Sequence, residues 1–201
     1  MLRVGLTGGL ATGKSFVGKC LADLGCHLLK ADELGHQVMQ PGGAAFASVV
    51  AAFGGGVLDE TGHIDRRALG SLVFGEAQAL ERLNKLVHPA VIALEEEWMR
   101  GIALRHPRAI AVVEAAILIE TGSYQRFDKL VLTVCSDEQQ IERAIKRDGL
   151  SRPEVLERLE RQMPLEEKRK YADYVIDTSG EKEMTLVQTS RLYAVLRGLP
   201  Q

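Results

Sequence analysis

The 201-residue sequence predicts an α/β fold in which helices cover a parallel β-sheet. Short apolar runs alternate along the chain with longer runs of helical spacing, which is typical of this class. Two short runs, within Arg108–Glu120 and Asp128–Val134, are apolar at consecutive positions, as in strands buried on both faces. A glycine-rich segment joins the first predicted strand to the first predicted helix, a common connection in parallel sheets.

The first half of the chain is predicted to contain two strands and several helices. Leu2–Thr7 is the first strand, and the helix that begins at Lys14 ends near Gly25, a residue suited to a helix end. A second short strand leads into a helix that Pro41-Gly42 stops. The region from about residue 44 to 105 is predicted to be mostly helical, with a turn-rich interruption.

The second half alternates strands with helices. The strand within Arg108–Glu120 is followed by an apolar stretch whose state the pattern leaves undecided. After the strand Asp128–Val134, Ser136 and Gln139 form a capping box for a helix that extends to about Asp148. The remaining predicted elements are a charged helix capped by Ser151, a short strand within residues 172–180 and a closing helix at Lys182–Leu196.

The composition indicates one soluble domain in a reducing compartment. The net charge of −2 gives no indication of a nucleic-acid or anionic-membrane partner. No apolar run approaches the roughly 18 residues of a membrane helix, and the start of the chain has no signal-peptide pattern. The three cysteines form no CxxC pair, so we expect buried, reduced thiols and a cytoplasmic location.

The segment Gly8–Ser15 reads GGLATGKS and matches the phosphate-binding pattern G-x-x-x-x-G-K-[ST]. Glycines let backbone N–H groups converge on phosphate oxygens, and the N-terminus of the following helix adds partial positive charge. Lys14 would reach the β- and γ-phosphates of ATP, and the Ser15 hydroxyl would bind Mg²⁺. We therefore predict a nucleoside triphosphate site with contacts from Gly8, Gly9, Ala11, Thr12, Gly13, Lys14, Ser15 and Phe16.

Other signals favour a small-molecule kinase over the other classes that use this loop. A GTPase would need N-K-x-D, but NKLV at Asn84–Val87 fails at its fourth position. A motor or transport ATPase would carry a strong apolar run that ends in Asp, whereas AIAVVE ends in Glu114, a weak equivalent. The short chain leaves the remaining sequence for an acceptor pocket and a lid.

A kinase also needs a group that orients or deprotonates the acceptor hydroxyl, and positive charge near the transferred phosphoryl group. Asp32 follows the second strand and is the best-placed acid, although a carboxylate there could equally cap the next helix. Arg143 and Arg147 share one helical face and are the candidate lid arginines. Neighbouring glutamates also fit a solvated, salt-bridged helix in that segment.

Together these residues resemble the dephospho-CoA kinase family, from Leu2 to about Tyr193. Each segment beyond the phosphate loop is weak evidence for the family by itself, but the order and spacing of all the segments together are specific for it. The matching segments are VGLTGGLATGKS, LKADELGHQV, LNKLVHP with a helix start at His88-Pro89, FDKLVLTVCSDEQQIERAIKRDGLS, RLERQM and ADYVIDTSG.

The resemblance implies one P-loop NTPase domain over residues 1–201, with a three-layer α/β/α architecture. It also implies a helical acceptor-binding insertion at about residues 40–105 and a lid at about residues 140–165. The implied reaction is the ATP- and Mg²⁺-dependent phosphorylation of the ribose 3′-hydroxyl of dephospho-CoA. Asp32 then matches the family's base and Arg143 its lid arginine, and Lys14 completes the catalytic set.

Four positions depart from the family pattern. Lys30 replaces the first Asp of the usual D-A-D, and Phe16 replaces a threonine after the phosphate loop. A proline usually found after the third strand is missing before Ile117, and Thr178 stands where an asparagine is common. These departures predict altered adenine contacts and weakened, rather than lost, phosphate binding.

Two alternative functions remain open from the sequence. One is a nucleoside or nucleotide kinase of the same superfamily. The other is an inactive ATP-binding regulatory module, which Lys30, Phe16 and the missing proline would suit. For the kinase we expect a small-molecule partner, dephospho-CoA, with neither nucleic acid nor membrane, and a monomer or weak homo-oligomer.

Overall fold

The computed structural model describes residues 1–74 and 76–200. The chain divides into two compact units. The first unit comprises Met1–Lys30 and Met99–Gln201, and the second comprises Ala31–Trp98.

A five-stranded parallel sheet forms the centre of the first unit, in the order β2-β3-β1-β4-β5. The strands are β1 (Leu2–Gly8), β2 (His27–Lys30), β3 (Ile110–Glu114), β4 (Lys129–Val134) and β5 (Tyr174–Asp177). All five correspond to strands predicted from the sequence. The predicted α/β class with a parallel sheet is confirmed.

Nine α-helices lie within the described ranges 1–74 and 76–200. They are α1 (Lys14–Asp23), α2 (Ala31–Val38), α3 (Phe46–Phe53), α4 (Arg66–Phe74), α5 (Ala77–Arg105), α6 (Asp137–Asp148), α7 (Arg152–Glu160), α8 (Leu165–Arg169) and α9 (Lys182–Gly198). None of these helices is long and apolar enough to span a membrane.

The main core of the first unit lies around β1, which is paired with β3 on one side and β4 on the other. Val4 and Leu6 of β1 have no exposed surface, because α1 and α9 pack over the sheet. Val17 and Leu21 of α1 and Leu196 of α9 belong to the same buried cluster. The packing fixes the carboxyl end of β1, where the glycine-rich loop begins.

The order of the strands places a binding crevice at that end of the sheet. The chain runs from β3 to β4 across β1, so the direction of winding reverses beside β1. Ligands in open parallel sheets bind outside the carboxyl ends of strands at such a switch point. Gly8 and Glu114 are the last residues of β1 and β3, and they therefore border the expected site.

Helices α6 and α7 form a small core of their own, made of Ile141, Ala144 and Val155. The capping box predicted for α6 is confirmed: the Gln139 N–H donates to the Ser136 hydroxyl, and the Ser136 N–H donates to Gln139 Oε1, both at 3.3 Å. At the start of α7, the Ser151 N–H donates to the Glu154 carboxylate at 2.7 Å. Both helix starts therefore follow from local sequence.

The second unit is helical, as the pattern of residues 44–105 predicts. Its buried apolar residues include Val49 of α3, Leu69 of α4, and Val57 in the segment between these helices. An isolated antiparallel bridge between Leu58 and Ile64 closes the turn-rich interruption. That this unit binds the acceptor stays a prediction.

Two features differ from the expectations, and one segment that the sequence left undecided has a defined structure. The helix start predicted at His88-Pro89 is wrong, because α5 passes through Pro89 without ending. Val87 and Val91 are buried on either side of the proline, and their packing outweighs the lost backbone hydrogen bond. Helix α8 was not predicted, and the undecided stretch after β3 forms turns.

Candidate active site

The loop between β1 and α1 has the backbone that a phosphate-binding loop requires. Gly13, immediately before α1, has a φ of 81°, and Ala11 has a φ of 54°. Ala11 is the one non-glycine residue with positive φ in the described part of the chain. Left-handed residues within a loop turn successive N–H groups toward a common point, which suits an anion.

Close packing explains why glycine occupies the first two positions of the loop. A Cβ on Gly8 would lie 2.3 Å from Thr133 Oγ1 and 2.4 Å from Thr12 Oγ1. A Cβ on Gly9 would lie 2.3 Å from Gln140 Oε1. Strand β4 and helix α6 therefore approach the loop backbone more closely than any side chain would permit.

Two buried threonines hold the loop in its curve. The Thr12 hydroxyl donates to the Gly9 carbonyl at 3.0 Å and lies 2.8 Å from the Thr133 hydroxyl. Both side chains have no exposed surface. The loop is therefore fixed internally and also joined to β4.

Lys14 is placed as the sequence predicts, at the first position of α1. Its ammonium group donates to the Gly9 carbonyl at 2.8 Å, across the loop. The positive charge therefore lies beside the N–H groups that begin the helix, where an anion is favoured.

Ser15 contacts Glu114, which the sequence predicts to be only a weak equivalent of the acid that ends such a strand. The Ser15 hydroxyl donates to Glu114 Oε1 at 2.6 Å. Glu114 is only 7% exposed, and within the described residues its Oε2 is buried without a hydrogen-bond partner. A buried carboxylate oxygen without a partner is costly unless a cation satisfies it.

A hydroxyl and a carboxylate are the oxygen ligands that Mg²⁺ prefers. The orphaned Glu114 oxygen therefore fits a magnesium ion beside Ser15. A signal for Glu114 is present in the sequence, because this residue ends a buried strand, but it is Glu where Asp is expected.

Arg143 of α6 reaches toward the loop through Thr178, the residue after β5. Its guanidinium donates to the Thr178 carbonyl at 2.7 Å and to the Thr178 hydroxyl at 3.2 Å. The Thr178 hydroxyl in turn donates to the Thr12 carbonyl at 2.9 Å. Arg147 instead pairs with its neighbour Asp148 at 2.7 Å and is exposed. The structure therefore brings Arg143, and not Arg147, to the loop.

Asp177, the last residue of β5 and the neighbour of Thr178, stays ionised at neutral pH. The pKa of Asp177 is lowered, chiefly by the hydrogen bond from the Ser179 N–H and less by Arg169 and Arg143. The charge of Arg143 is therefore partly balanced from β5.

Asp32 belongs to the second unit and is the second residue of α2, two positions after the end of β2. Its side chain is exposed. Among the described residues no donor bonds to its carboxylate, so the helix-capping alternative gains no support. Its contact with an acceptor stays a prediction.

The backbone N–H of Phe16, predicted to contact a phosphate, bonds within the protein in this structure. Its N–H donates to the Gly13 carbonyl at 3.1 Å, within the first turn of α1. Its ring lies 5.9 Å from the ammonium group of Lys182 at the start of α9. A phosphate contact through the Phe16 N–H stays a prediction.

Among the cavities formed by described residues, two lie in the first unit at opposite ends of the sheet. One of about 620 Å³ borders Gly9 and is lined by α6, α7 and the segment before α8, including Gln140, Leu159 and Met163. The other, of about 570 Å³, borders Ile110 at the amino end of β3. Of these two, the first adjoins the phosphate loop at Gly9 and gives that loop an open neighbouring space.

Comparison with known proteins points to one family. The family model described as dephospho-CoA kinase matches residues 2–183. The dephospho-CoA kinase of Aquifex aeolicus is 40% identical over 196 residues, which cover 98% of each chain. That of Geobacter sulfurreducens is 44% identical over 181 residues, which cover 90% of this chain and 91% of the relative.

Solved structures agree with the sequence relatives. The crystal structure of TT1252 from Thermus thermophilus has a TM-score of 0.82 at 32% identity and covers 100% of this chain and 98% of its own. Dephospho-CoA kinase from Campylobacter jejuni has a TM-score of 0.72 at 25% identity, with 97% and 96% covered. A shikimate kinase from Bacteroides thetaiotaomicron, at 14% identity and a TM-score of 0.53, shares the fold.

Proposed function

The chain belongs to the dephospho-CoA kinase family, and on that premise we propose that its phosphate loop, Asp32 and Arg143 together transfer the γ-phosphoryl group of ATP. The chain is a kinase that phosphorylates dephospho-CoA, the last step of coenzyme A biosynthesis. The acceptor atom is the ribose 3′-hydroxyl, and the products are coenzyme A and ADP.

The single observation that best supports triphosphate binding is the geometry of the loop. Gly13 and Ala11 have positive φ, Lys14 lies across the loop, and α1 begins at that point. Backbone N–H groups, a lysine ammonium and a helix N-terminus converge there, and all three favour phosphate oxygens. ATP is the phosphoryl donor expected for a kinase of this fold.

Ser15 and Glu114 are the residues that would hold Mg²⁺. Their hydroxyl and carboxylate oxygens lie 2.6 Å apart, and the second Glu114 oxygen has capacity for a further partner. A bound magnesium ion would offset the negative charge of the β- and γ-phosphates.

In the transfer step, the 3′-hydroxyl oxygen forms a bond to the γ-phosphorus as the bond to the β–γ bridging oxygen breaks. Asp32 takes the proton of the hydroxyl, and ADP leaves with the bridging oxygen. Lys14 and Arg143 stabilise the negative charge spread over the transferred group. The contacts of Arg143 with Thr178 hold its guanidinium in a defined orientation.

We place the enzyme in the cytoplasm, supported by its cysteines. Cys20, Cys26 and Cys135 are free and buried, as in proteins of reducing compartments.

The experiment is an ADP-release assay with ATP and a panel of acceptors. Dephospho-CoA is expected to give turnover, and nucleosides and nucleoside monophosphates are expected to give only the acceptor-free background. Lys14→Met is the control that removes the loop charge and should abolish release. Turnover restricted to nucleosides would favour the alternative kinase, and ATP binding with no turnover on any acceptor would favour a regulatory module.

A further inference from the structure

Lys168 of α8 is a charged residue that the proposed mechanism does not use. Its side chain has no exposed surface at all. A buried ammonium group is costly unless each of its N–H groups meets an acceptor. The position of this charge therefore requires an explanation.

Three acceptors surround the Lys168 ammonium group, one for each of its hydrogens. It lies 2.8 Å from Glu120 Oε1, 2.9 Å from the Ala116 carbonyl and 3.3 Å from the Gly8 carbonyl. The ion pair with Glu120 compensates the charge, and the two carbonyls fix where the nitrogen lies.

The contact with Gly8 acts on the first peptide of the phosphate loop. Gly8 is the last residue of β1, and Gly9 follows it, so no Cβ restricts rotation of the peptide between them. That peptide is planar, and its carbonyl and N–H point to opposite sides. An ammonium that holds the Gly8 carbonyl therefore also sets the direction of the Gly9 N–H.

Glu120 extends the connection to the segment between α7 and α8. It accepts a hydrogen bond from the Met163 N–H at 3.1 Å, in addition to the ion pair with Lys168. The pair therefore joins the phosphate loop, the turn after β3 and the segment before α8.

We propose that Lys168 is a positioning residue that holds the peptide between Gly8 and Gly9 in the orientation that presents the Gly9 N–H to a bound phosphate. The proposal rests on the proposed triphosphate site. Lys168 is fully buried and has no exposed surface with which to contact a nucleotide, so its effect on a bound nucleotide would pass through the loop backbone.

The test separates this role from that of a structural ion pair. Lys168→Met removes the charge, leaves the partly exposed Glu120 without its ion-pair partner and leaves two backbone carbonyls without their donor. Both the melting temperature and the affinity for ATP should therefore fall. The double variant Lys168→Met with Glu120→Gln also removes the unpaired carboxylate and should recover part of the melting temperature. The ATP affinity of the double variant, measured by calorimetry below its unfolding temperature, should stay about 10-fold or more weaker than that of the wild type, as for loss of a charged hydrogen bond.

Lys170→Met is the matched control. Lys170 directly follows the last residue of α8, is exposed and pairs with Glu167. It should leave affinity and melting temperature unchanged. Recovery of ATP affinity together with stability in the double variant would overturn the proposal, as would unchanged affinity in Lys168→Met. Because calorimetry measures binding without turnover, a wild-type chain that binds ATP but fails to phosphorylate dephospho-CoA would contradict the proposed function alone.

Discussion

Buried charged groups next to the phosphate loop distinguish this site from a glycine-rich turn. Glu114 keeps one carboxylate oxygen without a partner in the described structure, and Lys168 is completely enclosed. Each would be unfavourable in a region selected only for stability. Both contact the loop, one through Ser15 and the other through Gly8, so both charges lie against the loop that is proposed to bind phosphate.

The role of Asp32 can be tested by one isosteric change. Asp32→Asn removes the proton acceptor without changing size, so kcat should fall by roughly 10²-fold or more while the KM for ATP changes little. Steady-state ADP release with dephospho-CoA measures both constants. Glu33→Gln, in the same helical turn, is the matched control and should keep full activity. An unchanged kcat in Asp32→Asn would remove Asp32 from the mechanism.

Glu114→Gln tests the assignment of the magnesium site. The amide cannot supply a second anionic oxygen, so the Mg²⁺ concentration for half-maximal rate should rise by about 10-fold or more. Titration of Mg²⁺ at saturating ATP measures the shift. Glu166→Gln, an exposed residue of α8, is the control. A variant with the Mg²⁺ dependence of the wild type would show that Glu114 plays no part in holding the metal.

At the scale of elements, the strand–loop–helix unit of β1 and α1 was predictable because its signals are local. The apolar run, the two glycines and the lysine fall within fifteen residues and fix one conformation. Helix α8 was not predictable in this way, because the five residues LEEKR carry no apolar period. For the same reason, nothing in the run LEEKRK distinguishes the buried Lys168 from its exposed neighbours.

In the long helix α5, a strong local signal predicts the wrong structure. Pro89 predicts a boundary by its local chemistry, yet the helix continues for sixteen residues, to Arg105. Buried residues on both sides of the proline, Val87 and Val91, hold the two parts in one helix. Packing of this kind depends on residues distant in the chain, and a local pattern does not contain it.

The close approach of β4 to the loop gives a prediction at the element scale. Gly8→Ala places a methyl group against Thr133 Oγ1, Thr12 Oγ1 and, at 2.8 Å, the Thr133 carbonyl. The backbone must shift, and the free energy of unfolding should fall by about 1–3 kcal/mol, with weaker ATP binding. Urea denaturation and calorimetry measure the two effects.

Gly56→Ala provides the matched control, because a Cβ at Gly56 meets no atom within 4 Å. It should leave the free energy of unfolding and ATP binding nearly unchanged. A Gly8→Ala variant as stable as this control would show that the loop has room to move.

At the scale of the whole molecule, two histidines with lowered pKa values, His36 and the half-buried His88, link stability to pH. Burial lowers the pKa of His88, and burial together with Arg66 lowers that of His36. The unfolded chain therefore binds more protons than the folded chain as the pH falls below the ordinary histidine value near 6.5. The stability that these groups contribute is complete above that pH and is lost as the pH falls through the folded-state values.

We therefore expect the free energy of unfolding to decrease between pH 7.5 and pH 5, as measured by urea denaturation. His88→Gln should flatten the decrease, since it removes the more deeply buried ring. A pH profile in His88→Gln as steep as that of the wild type would assign the dependence to other groups.

The chain as a whole acts as one kinase that transfers phosphate to the ribose 3′-hydroxyl of dephospho-CoA. The most direct measurement compares ADP formation with dephospho-CoA and with its 3′-deoxy analogue, which lacks only the proposed acceptor oxygen. Rapid ADP formation with the first, together with one added phosphomonoester in the product, and only background formation with the second, is the predicted result. Equal ADP formation with both acceptors, or none above background with either, would contradict phosphoryl transfer to the ribose 3′-hydroxyl.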